Sequence, residues 1–290
     1  MEPLVAPYFP IIYVRGYAMT PSEIAATVAT PYMGFNLGST KVRQAWDGRV
    51  QRHVFESPLV RLMKDYGYRD IYAEGAEIDG EIPPRSIVIH RYYEPADTDL
   101  GSGEVPSIVE AATDLRELIR RLRDQVCGDD AARREAFRVY LVAHSMGGLV
   151  CRCFLQNEAV STHDDRAMVD KVFTYATPHN GIEMAGINVP AILGLWDMNN
   201  FNRKAMAAYL DLQGTPERVD SLDGKFDPQR FFCFVGTNHR DYEVALGMSR
   251  KLAGEMSDGL VKIENATVDG APRAFAYRSH SGVYGVVNSE

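Results

Sequence analysis

The stretch "VYLVAHSMGGLV" (residues 139–150) runs an apolar, β-branched segment into a histidine and a serine, and then into two glycines. A lone S-x-G is usually a helix N-cap. Here the serine lies where a buried strand must turn sharply into a helix, and bulky neighbours at such a turn collide with adjacent elements. Small residues two before and two after Ser145, namely Ala143 and Gly147, relieve that crowding and give A-x-S-x-G in place of the G-x-S-x-G nucleophile elbow. The turn holds the hydroxyl at the carboxyl edge of a sheet, beside a helix N-terminus that favours developing negative charge.

Working outward, apolar β-branched runs alternate with longer helical patterns. Strands are expected at "IIYVRG" near Ile11, "IYAEG" near Ile71, "SIVIHRYY" from Ser86, "VYLVAH" from Val139, "KVFTYAT" from Lys171, "RFFCFVG" from Arg230 and "RAFAYRS" from Arg273. Helical patterns follow Ser57, Pro106 and Ser145 and occupy part of residues 190–212. The expectation is an α/β fold, a mostly parallel central sheet flanked by helices on both faces.

At 290 residues with 46% hydrophobic content, the chain can bury one large core, and residues 1–290 are expected to form a single catalytic domain. A net charge of −8 argues against nucleic acid as partner, since phosphate backbones need clustered cations. The one basic cluster, "RELIRRLRD" from Arg116, has helical spacing and is expected to be a solvated face. No run approaches the roughly 18 to 20 apolar residues of a membrane span, and the opening has no basic n-region, so a cytoplasmic protein without a signal peptide is expected. Cys127, Cys151, Cys153 and Cys233 show no metal-ligand spacing and are taken as reduced, buried thiols. No cofactor or metal is expected.

A nucleophilic serine needs a base, and the base needs an orienting carboxylate, in the chain order Ser, acid, His for this elbow. His163 sits in a polar run, His179 in "ATPHNG" comes too early to follow an acid, and His239 follows the penultimate strand, where the acid belongs. His280, after "RAFAYRS", is the base by order and position. Two acids compete. Asp241 lies soon after "RFFCFVG", and Asp258 lies in "SDGLV", where Asp-Gly is also an ordinary turn.

"VAHSMGG", "ATPHNG" and "SDGLV" with a downstream histidine resemble the bacterial lipases and esterases of the α/β-hydrolase superfamily. The resemblance favours Asp258 and implies Ser145, Asp258 and His280 as nucleophile, acid and base. It also implies an oxyanion hole from the backbone N–H groups of Met146 and Tyr17. The family's histidine ahead of that loop is replaced by Arg15, which either supports the loop or meets an anionic substrate group. "HSGVYG" lacks the acidic residue of the family's calcium site, so no calcium is expected there. Only ten residues follow His280, little room for the family's closing helix, so the natural chain is expected to continue beyond residue 290. A lid or cap insertion is expected at about residues 186–213, with Leu193 and Trp196 either covering an acyl pocket or packing on the sheet. The function implied is a serine carboxylic-ester hydrolase acting on a small-molecule or lipid ester. An acyltransferase or thioesterase with the same triad, and a catalytically silent binding module, are the alternatives.

Overall fold

The computed structural model describes residues 2–16, 21–30, 32–36, 40–44, 47, 49–54, 57–73, 76–97, 99, 101–184, 187–188, 198–214, 217–235, 261–268, 273–278 and 283–288. Its centre is a six-stranded sheet of β1 (Ile11–Val14), β2 (Arg69–Asp70), β3 (Ser86–His90), β4 (Val139–His144), β5 (Val169–Tyr175) and β6 (Phe231–Phe234). The spatial order is β6-β5-β4-β1-β3-β2, and every pairing is parallel. β1 and β4 are therefore central, with Val14 opposite Ala143.

Period-2 alternation divides the central strands between two faces. Ile12, Val14, Leu141 and Ala143 are fully buried. The helices, in chain order among the described residues, begin with α1 (Pro21–Val28), α2 (Pro58–Tyr66), α3 (Ile108–Cys127), α4 (Ala131–Ala136), α5 (Gly147–Gln156) and α6 (His163–Ala167). α5 packs on β1 and β4, and α3 packs on α5. α3 presents Leu115, Ile119, Leu122 and Val126 at spacings of three and four, which puts them on one buried stripe. Its start is fixed by Ser107 and Glu110, each side chain bonding the other's backbone N–H. The opposite sheet face is aromatic. Tyr13 stacks on Phe35 at 4.3 Å, and Phe173 stacks on Phe232 at 5.1 Å.

Three expectations change. The outer strand is Arg69–Asp70, while Tyr72–Ala73 turns back in a short hairpin with Ala76–Glu77. The segment Arg273–Arg278 is a strand, but it pairs antiparallel with Val283–Asn288 rather than joining the sheet. A β-rich partner only four residues away closes a far smaller loop than the distant sheet edge does. The arginines of α3 are also not simply solvated. Arg116 donates to the Val160 carbonyl at 2.6 Å, and Arg120 forks onto Asp165 at 2.8 and 2.9 Å.

That last pair sets a pH dependence. Burial pushes the Asp165 carboxyl up, but hydrogen bonds from Arg120 and from Thr162 outweigh it and hold the pKa at about 2. The folded value lies below the unfolded value of about 3.9. The stabilisation is therefore full above about pH 4 and is lost as pH falls toward 2. Asp165→Asn is expected to cost about 1–2 kcal/mol at neutral pH, since Arg120 is partly open to solvent. Melting curves should show the gap from wild type closing below pH 4; a gap independent of pH would refute the assignment.

Within 190–212, the 3-10 turn Met198–Phe201 and helix α7 (Arg203–Tyr209) bury Phe201, Met206, Ala207 and Leu210 in the core. This half of the expected insertion is packed structure. Among the described residues no helix is long and apolar enough to cross a membrane. The four cysteines are free thiols; Cys127, Cys151 and Cys153 are buried, and burial pushes Cys153 up to about 12.

Candidate active site

Ser145 follows β4 directly and takes φ +52°. Such left-handed backbone costs a non-glycine residue roughly 1–3 kcal/mol, so its surroundings must impose it. The Ser145 N–H donates to the Tyr175 carbonyl at the end of β5, at 2.8 Å. The Ser145 carbonyl accepts from the Gly148 N–H at 3.0 Å and from the Thr177 hydroxyl at 2.8 Å. An N-cap has extended angles, so Ser145 is not the cap of α5. That helix begins at Gly147, with Met146 before it in right-handed helical geometry and making no side-chain cap bond.

Three glycines let the chain come this close. A Cβ on Gly16 would lie 2.5 Å from Ser145 Cβ, and one on Gly147 would lie 2.2 Å from the Val14 carbonyl oxygen. One on Gly148 would lie 2.3 Å from Thr177 Oγ1. The end of β1 is thus pressed against the serine turn. Arg15 supports this contact rather than facing outward: its guanidinium donates to the Met33 carbonyl at 3.2 Å, and its own carbonyl accepts from Tyr92 Oη at 2.8 Å.

Met146 is buried, with its sulfur 3.8 Å from Asn200 Nδ2. Its N–H belongs to the same peptide unit as the Ser145 carbonyl. His179 is locked in the core. Its Nε2 lies 3.0 Å from Thr174 Oγ1, and burial, with the nearby Arg152 charge, holds its pKa well below the usual range. It is a neutral structural histidine.

Sequence reasoning missed a buried polar knot around His179. Arg152, fully buried on α5, donates to Gln156 Oε1 and to the carbonyls of His179, Val219 and Ser221 at 2.6–2.8 Å. Asn180 Nδ2 reaches Asn265 Oδ1 at 3.0 Å, and the Asn180 N–H donates to the Asn265 carbonyl at 3.0 Å. A signal was present, since Arg152 interrupts an otherwise apolar helix face in "GLVCRCFL". The knot ties residues 261–268 to the loop after β5.

Of the residues expected to form the site, Ser145 and Met146 are placed. Tyr17, Leu193, Trp196, Asp258 and His280, with the competing Asp241, lie outside the described residues. An apolar groove of about 510 Å³ runs along the aromatic sheet face, lined by Tyr13, Phe35, Tyr140 and Phe173, and includes His144, the residue before Ser145, and Tyr175, whose carbonyl accepts the Ser145 N–H.

The parallel sheet, with a left-handed serine between its central strand and the following helix, defines the α/β-hydrolase fold. Residues 97–197, about a third of the chain, match the family model of the PGAP1-like alpha/beta domain, a span that contains the serine turn. No curated protein matches the chain significantly in sequence. Among solved structures, a Bacillus licheniformis lipase in mature form is similar at 17% identity and TM-score 0.42, over 91% of this chain and 81% of that one. Its propeptide form gives 18% and 0.39, over 90% of this chain; the chain spans only 44% of that form. An acetyl xylan esterase, determined as an iodinated complex, gives 9% and 0.30, over 68% of this chain and 81% of that one. The chain's own strand order and serine turn give it this fold.

Proposed function

We propose that the chain is a serine hydrolase that cleaves carboxylic esters through an acyl-enzyme. The left-handed conformation of Ser145 carries the proposal, because nothing in the packing of a plain turn requires a strained serine whose flanking glycines are consumed by close approach. Ser145 Oγ attacks the ester carbonyl while His280 takes its proton, and Asp258 holds the imidazole oriented. The N–H groups of Met146 and Tyr17 receive the oxyanion. His280 then protonates the leaving alcohol, and water resolves the acyl-enzyme by the reverse sequence.

Labelling of Ser145 by a fluorophosphonate, with turnover of p-nitrophenyl esters, tests this directly. An unlabelled, inert protein would leave a silent binding module instead, and faster release of acyl product to added alcohol than to water would indicate an acyltransferase.

The acyl part is assigned to Leu193 and Trp196. Each buried methylene contributes roughly 0.8 kcal/mol, so kcat/KM should rise severalfold per CH₂ until the pocket is full. Trp196→Ala is expected to flatten that profile while leaving acetate hydrolysis nearly unchanged. Equal losses on short and long esters, with a lowered Tm, would move specificity elsewhere, the groove along Tyr13, Tyr140 and Phe173 being the described alternative.

A further inference from the structure

We propose that Thr177 is a positioning residue that aims the Met146 N–H into the oxyanion hole, an inference that rests on the hydrolase function above. The Ser145 carbonyl and the Met146 N–H are the two ends of one planar, trans peptide unit, and they point in opposite directions. Fixing the carbonyl therefore fixes the direction of the N–H. Thr177 Oγ1 donates to that carbonyl at 2.8 Å. Thr177 is itself buried and sits at the start of the loop that the Arg152 and Asn180 bonds hold rigid.

The second glycine of "SMGG" carries the same message. Gly148 is the second residue of α5, a helical position that alanine takes more readily than glycine. It has no left-handed φ to justify it, whereas a Cβ there would meet Thr177 Oγ1 at 2.3 Å, Cγ2 at 2.6 Å and Cβ at 2.9 Å. Gly148 is the space that Thr177 occupies. The Gly148 N–H also donates to the Ser145 carbonyl, but from within the same turn, so it moves with the turn. Thr177 is the donor anchored on a different element, and it fixes the peptide plane against the sheet.

Such a residue acts on the transition state and not on ground-state binding, because the oxyanion forms only after attack. Loss of a whole oxyanion donor costs about 10²–10³ in kcat, which bounds the effect of misaiming one. Thr177→Val keeps the shape and removes the donor. On p-nitrophenyl butyrate it is expected to lower kcat about tenfold to a hundredfold with KM within about twofold, and to weaken inhibition by butylboronic acid, whose adduct mimics the tetrahedral state, in proportion to kcat. Thr177→Ser restores the donor and should return both toward wild type. Thr177→Ala serves where the valine variant does not fold. Unchanged kcat in a folded Val or Ala variant, a loss carried by KM, or failure of Thr177→Ser to rescue would each overturn the proposal while leaving the hydrolase function standing. A wild-type protein that neither labels with a fluorophosphonate nor turns over the ester would instead overturn that function, and this proposal with it.

Discussion

Ser145→Ala is expected to lower kcat for ester hydrolysis by about 10⁶ while leaving the melting temperature close to that of wild type. The size follows from what remains, since oxyanion donors and binding still act on a bound ester but the only attacking group is water. Preservation of the fold follows from the geometry. The turn is held through main-chain atoms, the Ser145 N–H to Tyr175 and the Ser145 carbonyl to Gly148 and Thr177, and none of these bonds uses Oγ. Alanine carries the same left-handed strain as serine. Initial rates with a p-nitrophenyl ester, beside a thermal melt, check both halves. A folded variant that keeps most of its activity would remove Ser145 from the mechanism.

The serine turn could be seen in sequence because its constraint is local: a strand, a sharp turn and a helix within twelve residues leave room only for small side chains at fixed offsets. Even so, the pattern showed that Gly147 and Gly148 are small without showing what fills the space. The fillers are the carbonyls of Val14 and Arg15 and the side chain of Thr177, which come from residues far away in the chain. The same limit hid the role of the α3 arginines. Helical spacing told which face Arg116 and Arg120 share, but their partners Val160 and Asp165 arrive by tertiary packing. Strands with strong β-branched runs were found at or near their observed places. The two-residue edge strand Arg69–Asp70 was missed because so short an element has no periodicity to read. Arg152 stood out as a break in an apolar helix face, but its partners did not, because a buried cation is tolerated only when its donors are met and here the four oxygens come from its own helix, the loop after β5 and residues 219–221.

His280→Ala should cost nearly as much as losing the serine, because an unassisted hydroxyl is a poor nucleophile at neutral pH. Asp258→Ala should cost about 10⁴ in kcat, since a histidine without its carboxylate still accepts a proton in a fraction of its orientations. Asp258 is favoured over Asp241 because "SDGLV" with a histidine downstream resembles the acid and base region of the bacterial lipases, whereas Asp241 has only its place soon after "RFFCFVG". A triad acid must hold one position against the imidazole to better than an ångström or so, so one of the two serves and the other does not. Parallel kcat measurements on Asp258→Ala and Asp241→Ala decide it: a loss near 10⁴ in the first with little change in the second is expected, and the reverse pattern would transfer the role of acid to Asp241.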